Sequence, residues 1–273
     1  RSTLFPYTTL FRSLDNSTKK HKYSSKASSL AYASLNILLA LAVFGTIYVT
    51  NSPIFALLLV ALGKWRILSV RPRFWAANVL SNLVDVIVGV SFALLIWLSG
   101  GYMMLQLGLT ALHIVWLLFI KQRSKYTYAV IQAGTALFLG LVTLSLTAYS
   151  WDSFYFVAVV WVIAYASARH VASRYEGIST NLYAIAAATV CAELGWISYY
   201  WMIAYTVPGL AAIKVSQFAI FAVLMGFVAE RTARSYHKHG EVRFADIAMP
   251  ILLTAMTMVV AYIFAVLSGS DAL

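Results

Sequence analysis

Charged residues are scarce in this chain. Asp and Glu together number 9 and Lys and Arg 20 among 273 residues, so only 11% of the chain is charged. Soluble domains carry about 25%. Hydrophobic residues make up 62%, and no water-soluble fold could bury that much apolar surface. The composition therefore excludes a soluble globular domain and indicates that the bilayer is the solvent.

Cysteine and metal-ligand motifs are equally sparse. The single cysteine, Cys191, cannot form an internal disulfide, and its apolar surroundings favour a packing role. The histidine pair His237 and His239 lies in a basic loop without the four-ligand spacing of a metal site. No phosphate-binding glycine loop or metalloprotease motif is present. The sequence predicts no metal, no cofactor and no catalytic residues, and a membrane enzyme of unfamiliar type is the lesser alternative.

Long apolar runs are what the chain does contain. Blocks of roughly 20 residues can cross ~30 Å of hydrocarbon as helices. We predict an all-α, polytopic bundle of about nine spans. The predicted spans are 30–50, 53–70, 74–98, 102–120, 126–149, 154–168, 181–205, 210–229 and 247–267. The second is the weakest because Lys64 and Arg66 interrupt it, so a short or re-entrant segment is the alternative to a full span.

The basic residues predict the orientation of these spans. After residue 13, every Lys and Arg except Lys214 falls in the N-terminal tail, in an even-numbered connection or at a helix end beside one. Positive charge collects on the cytoplasmic side of membrane proteins. The pattern predicts nine crossings, a cytoplasmic N-terminus, an outer C-terminus and a place in the inner membrane. Topology also explains the net charge of +11 without a nucleic-acid partner.

The predicted organisation is a single membrane domain with short tails. Residues 6–13 resemble the in-frame translation of a sequencing adapter, so we interpret 1–13 as non-native. Residues 14–29 are predicted to form a basic cytoplasmic tail, 30–268 the transmembrane domain and 269–273 a short outer tail.

Polar side chains at membrane depth are the candidate functional residues, because a charge in hydrocarbon costs ~2.5–3.5 kcal/mol on insertion scales. Asn78, Asn82 and Asp85 lie at i, i+4 and i+7, on one face of the third predicted helix. Asp85 falls near the bilayer midplane. This stripe indicates a proton, cation or substrate site, or else hydrogen bonds between helices.

A second candidate group surrounds Glu193, also predicted near the midplane. Lys214 and Gln217 of the predicted eighth helix approach its level across a short outer turn. We predict an ion pair between Glu193 and Lys214, with either a structural or a coupling role.

A basic cluster follows the second apolar run. It comprises Lys64, Arg66, Arg71 and Arg73. We predict that these side chains contact anionic lipid headgroups at the cytoplasmic face.

The segments from Lys64 through Arg73 and from Ala192 through Trp196 give the chain a pattern that resembles uncharacterised bacterial multi-pass membrane proteins. This resemblance implies no activity. The deep carboxylates favour a permease or ion-coupled transporter of a small solute. The alternative is a non-catalytic membrane subunit, scaffold or lipid-interacting protein. Transport predicts that Asp85 and Glu193 line one cavity, whereas the alternative predicts that both are sealed in helix contacts.

Overall fold

The computed structural model describes residues 18–65, 69, 71–175, 179–201, 203–206 and 213–267. Within these ranges the chain is almost entirely helical. The helices are α1 (Thr18–Thr50), α2 (Ile54–Leu62), α3 (Trp75–Leu98), α4 (Met103–Val115), α5 (Tyr126–Thr147), α6 (Ser153–Ala172), α7 (Thr180–Tyr200), α8 (Gln217–His239) and α9 (Phe244–Leu267). Arg66 lies outside the described residues.

Seven helical segments of the described chain are long and apolar enough to cross a membrane. They are Ser28–Thr50, Pro72–Leu98, Met103–Ile120, Tyr126–Thr147, Ser153–Ala172, Thr180–Tyr200 and Phe244–Phe264. The protein is therefore a helical membrane bundle, as predicted, and the count of nine crossings stays a prediction. Below, "inner" denotes the side that the basic residues assign to the cytoplasm and "outer" the opposite side.

Helix α2 is short. Its nine residues rise only ~13 Å, less than half of the ~30 Å hydrocarbon layer. It folds back from α1 through Asn51, which has a positive φ of 54°, and it packs against α1 and α3. Gly89 of α3 permits this approach, because a Cβ there would lie 3.0 Å from a Val60 methyl group. The described helix thus covers only the outer half of the predicted second span.

Helix α4 changes character at its inner end. Trp116–Ile120 forms a π-helical turn, in which the Lys121 N–H donates to the Trp116 carbonyl at 2.9 Å. The buried side chain of Gln132 on α5 holds the end of this turn. Its Nε2 donates to the carbonyls of Ile120 at 2.6 Å and Arg123 at 3.0 Å.

We expect Gln132→Leu to lower the free energy of unfolding by about 1–3 kcal/mol, because buried carbonyls lose their donor. The imidazole of His170, 2.8 Å from Gln132 Oε1, also loses its partner. Unfolding in mixed micelles measures the change. Gln122→Leu is the control, since Gln122 lies exposed after the π turn and its Nε2 makes a single long hydrogen bond, 3.4 Å to the Leu117 carbonyl. It should change stability by no more than ~0.5 kcal/mol. Equal effects of the two substitutions would contradict this role.

The outer end of the bundle carries a small hairpin that was not predicted. Strands β1 (Ala204–Thr206) and β2 (Lys214–Ser216) pair antiparallel, with Tyr205 opposite Val215. The predicted start of the eighth helix at 210 is corrected to Gln217, where the Ser216 side chain accepts a hydrogen bond from the Ala219 N–H at 3.3 Å and caps α8.

Two helices extend past their predicted ends. Helix α8 continues to His239, where Gly240 ends it with a φ of 73°, although we predicted a loop from 230. Helix α1 begins at Thr18 within the predicted tail. Apolar runs locate the hydrocarbon boundary, whereas a helix continues through polar residues until its hydrogen bonds are capped.

The tightest packing joins α5, α6 and α7 through small residues. A Cβ on Gly140 would lie 3.0 Å from methyl groups of both Ile87 and Ile163, and one on Gly195 would lie 3.0 Å from Val160. Such close approach of backbones is typical of helix contacts in membranes. These three helices form the centre of the bundle, with α1 to α4 on one side and α8 and α9 on the other.

Candidate functional site

Asp85 lies near the middle of α3 and binds two lysines at once. Its Oδ2 accepts from Lys64 Nζ and, at 2.9 Å, from Lys121 Nζ. Its Oδ1 accepts from the indole N–H of Trp116 at 3.3 Å. The exposed side-chain fractions are 13% for Asp85, 12% for Lys64 and 26% for Lys121. We call Lys64, Asp85 and Lys121 the lysine–aspartate cluster; it carries a formal excess of one positive charge.

Both lysines reach this position because regular helix ends beside them. Lys64 follows Gly63, which caps the half-length α2, and Lys121 directly follows the π turn of α4. Lysines near helix ends usually extend toward the interface, whereas these two point toward Asp85. Lys64 is therefore paired with Asp85 and mostly buried, and its predicted contact with lipid headgroups stays a prediction. The sequence already indicated that Lys64 lies deep, because only the short apolar run 54–62 separates it from the outer turn at Asn51.

A line of buried polar residues on α4 continues from the cluster toward the outer side. Gln106, Thr110 and His113 lie at i, i+4 and i+7 and are all buried. Gln106 Nε2 donates to the Ile96 carbonyl at 3.0 Å, and the Thr110 hydroxyl donates to the Gln106 carbonyl at 2.7 Å. The His113 ring stacks on Phe92 at 4.9 Å. In the described part of the chain, its Nδ1 has no hydrogen-bond partner.

The predicted asparagines lie on the inner side of Asp85 along α3. Asn82 Nδ2 donates to the Asn78 carbonyl at 2.8 Å and to the Ser81 hydroxyl at 3.2 Å. Arg71 and Arg73 are exposed just before α3, with the Arg73 guanidinium 4.6 Å from the centre of the Phe74 ring. Their exposure leaves the headgroup prediction open for these two arginines.

Glu193 is not brought near Asp85. It is exposed and lies opposite the packed face of α7, which comprises Ala184, Ala188, Ala192 and Gly195. Lys214 is half-buried in strand β2, and the backbone N–H of Gln217, the first residue of α8, donates to the Ile203 carbonyl at 2.8 Å. Among the described residues no ion pair joins Glu193 to Lys214, because Lys214 belongs to the hairpin and not to a helix facing α7. A functional role for these three residues stays a prediction.

A second buried carboxylate, missed by the sequence analysis, lies on α8 beside the inner end of α5. Glu230 is 6% exposed and accepts from the hydroxyl of Tyr126, which also shares a hydrogen bond with Tyr175. Burial raises the pKa of Tyr175 further above its ordinary value near 10. Arg231 Nε lies 3.5 Å from a Glu230 oxygen, and the Arg234 guanidinium lies 5.4 Å from the Tyr126 ring centre.

A cavity of about 570 Å³ opens between α5, α6, α7 and α8. Glu230 lines it, whereas neither Asp85 nor Glu193 does. The transport hypothesis predicted that Asp85 and Glu193 line one cavity, and they do not line this one. Asp85 is held in helix contacts by its lysines, as the non-catalytic alternative predicted for it. Glu193 is exposed, as neither alternative predicted.

Comparison of the chain with protein-family models, with curated proteins and with solved structures finds no match. Any functional statement about this protein therefore rests on the arrangement of its residues alone.

Proposed function

We propose that this membrane protein is a permease for a small anionic solute in the bacterial inner membrane, with the lysine–aspartate cluster as its binding and coupling site. The observation that carries the proposal is a carboxylate in mid-helix bound by two lysines from two separate elements. Charges at membrane depth are costly, and they typically mark solute or ion routes.

The backbone around the cluster supports the same function. Transporters commonly bind their solutes where a membrane helix is broken near the midplane, and α2 ends at Leu62, two residues before Lys64. Segments of π-helix are frequent at functional sites, and one ends directly before Lys121. The cluster thus lies between two irregular elements that could move relative to α3.

The charge balance supports an anion as the solute. Two ammonium groups share one carboxylate, so a bound anion would neutralise the excess positive charge. An anion that replaced Asp85 at one lysine would release either the end of α2 or the end of α4 from α3. Gln106, Thr110 and His113 supply polar groups between the cluster and the outer side.

The exposed Arg71 and Arg73, with Arg66, support a further proposal for the inner face. We propose that they contact anionic lipid headgroups, which attract basic residues at the cytoplasmic interface. Such contacts would anchor the start of α3 and so fix the level of Asp85.

A ligand screen followed by flux measurements tests the permease. We expect chloride, phosphate or a small carboxylate to raise the melting temperature of the purified protein, and that anion to cross vesicles containing it. Asp85→Asn should reduce the flux per folded protein by at least tenfold, because the carboxylate that exchanges with the anion is gone. The folded fraction in the vesicles is measured for each variant, since this substitution also lowers stability. Asp152→Asn is the matched control, since Asp152 caps α6 through a 2.8 Å bond to the Phe154 N–H and Asn caps equally well. Full flux through Asp85→Asn would contradict the proposal.

A further inference from the structure

The cavity between α5 and α8 is a groove along the inner half of the membrane domain. We call it the α5–α8 groove. Helix α7 packs along α6, but it makes few contacts with α8, and the gap between α7 and α8 forms the groove. Small side chains line the groove and leave its space open; they include Ala133, Gly134, Ala187, Ala222 and Gly226.

The length of the groove matches one leaflet. Along α7 it extends from Tyr183, near the inner end, to Leu194. That segment rises about 16 Å at ~1.5 Å per residue, which is about half of the ~30 Å hydrocarbon layer. Its volume of about 570 Å³ lies within the ~300–1,000 Å³ usual for ligand sites. A hydrocarbon chain of the inner leaflet has this depth.

Polar groups lie only at the inner end of the groove. Ser167, Tyr183 and Glu230 line that end, and the remaining lining residues are apolar or small. The Ser167 hydroxyl is the informative one, because the residue is 4% exposed and its Oγ has no hydrogen-bond partner in the described part of the chain. Buried polar groups are nearly always hydrogen-bonded, so this hydroxyl indicates a ligand with a polar group at this level.

Positive charge lies just beyond the polar end. Arg231 and Arg234 follow Glu230 on α8, and Arg174 is exposed just after the end of α6. Arg231 Nε lies 3.5 Å from the Glu230 carboxylate, so Arg234 and Arg174 supply the uncompensated positive charge. An amphiphile with its chain in the groove would place its head among these guanidinium groups. Arginine binds phosphate through paired N–H donors, so the charge favours a phosphorylated head.

We propose that the α5–α8 groove is a binding site for one acyl chain of an inner-leaflet phospholipid. The ester region bonds to Ser167 and Tyr183, and the phosphate lies beside Arg231 and Arg234. The site is separate from the lysine–aspartate cluster, so it does not depend on the permease proposal.

Two glycine substitutions in the groove and a third outside it, as a control, test the site without disturbing the helix contacts. A Cβ on Gly134 would meet no heavy atom within 4 Å, and one on Gly226 would meet only Leu137 at 3.6 Å. Gly134→Leu and Gly226→Leu should therefore each place a side chain inside the groove and block part of it. Gly108→Leu is the matched control, because Gly108 is exposed on α4 away from the groove and is equally open.

Native mass spectrometry with palmitoyl-oleoyl phosphatidylglycerol gives the first readout. We expect wild type and Gly108→Leu to retain one lipid, and each filled variant to bind it at least tenfold more weakly. Ser167→Ala should weaken binding by about fivefold. Equal lipid binding by wild type and both filled variants would overturn the proposal. So would a wild-type dimer, free of lipid, that separates in the filled variants, since a second copy would then be the occupant.

Cys191 gives a second readout that does not depend on the glycine variants. It is the only cysteine of the chain and lines the groove. Added phosphatidylglycerol should slow its reaction with N-ethylmaleimide at least threefold in wild type and in Gly108→Leu. A rate that is unchanged by the lipid would overturn the proposal even if the filled variants failed to fold.

Discussion

Asp85→Asn is expected to lower the free energy of unfolding by about 3–5 kcal/mol, the range found when one partner of a buried ion pair is removed. The amide cannot compensate Lys64 and Lys121, which are 12% and 26% exposed. Both ammonium groups would then be left in a poorly solvated position. Unfolding in mixed micelles measures the loss.

Charge-matched variants separate this effect from a simple loss of hydrogen bonds. Lys64→Met alone should cost much less than Asp85→Asn, because it leaves Asp85 paired with Lys121. Asp85→Asn combined with Lys64→Met and Lys121→Met should recover most of the lost stability, since no charge remains in the cluster. If the triple variant were as unstable as Asp85→Asn, unpaired charge would not be the cause.

Gly195→Leu is expected to lower the free energy of unfolding by about 3 kcal/mol, the upper part of the range for overpacked cores. A Cβ at this position would lie 3.0 Å and 3.2 Å from the two Val160 methyl groups and 3.3 Å from the Phe218 ring. The larger side chain must therefore separate α7 from α6. Thermal melting in detergent, with Gly108→Leu beside it, measures the effect.

The glycine pair also checks the arrangement of the helices. Both substitutions add the same side chain to a membrane helix, so any difference between them reflects packing. A similar melting temperature for Gly195→Leu and Gly108→Leu would contradict the close contact of α6 with α7.

Composition and apolar run length predicted the membrane spans, because apolar side chains favour hydrocarbon and about 20 residues cross it. They predicted helices because backbone groups in hydrocarbon must be hydrogen-bonded within the span. They could not predict where α8 ends and where α1 begins, since both positions lie in polar residues beyond the hydrocarbon. The hairpin that contains Lys214 was missed for a related reason. Each strand has only three residues, too few to show an alternating pattern in the sequence, and the two strands are stabilised by pairing with each other.

The candidate site could be predicted only in part. Depth and helical spacing singled out Asp85 from the sequence. Its partners Lys64, Lys121 and Trp116 come from α2 and α4, and their contact depends on a helix that stops early and on a π turn. Neither the early end of α2 nor the π turn gives a periodic pattern in the sequence. Glu193 fulfilled the same depth criterion, yet helical spacing without the packing could not show that it faces away from the bundle.

The central claim is that one carboxylate at mid-membrane holds both Lys64 and Lys121. Solid-state NMR of the protein in lipid bilayers, with ¹³C in the aspartate carboxyl groups and ¹⁵N in the lysine ammonium groups, measures this contact directly. We expect the Asp85 carboxyl carbon to show dipolar coupling to two lysine nitrogens at about 4 Å, the range of an ion pair, and to lose one coupling in each of Lys64→Met and Lys121→Met. An Asp85 signal that couples to no lysine nitrogen, or to only one in wild type, would contradict the account.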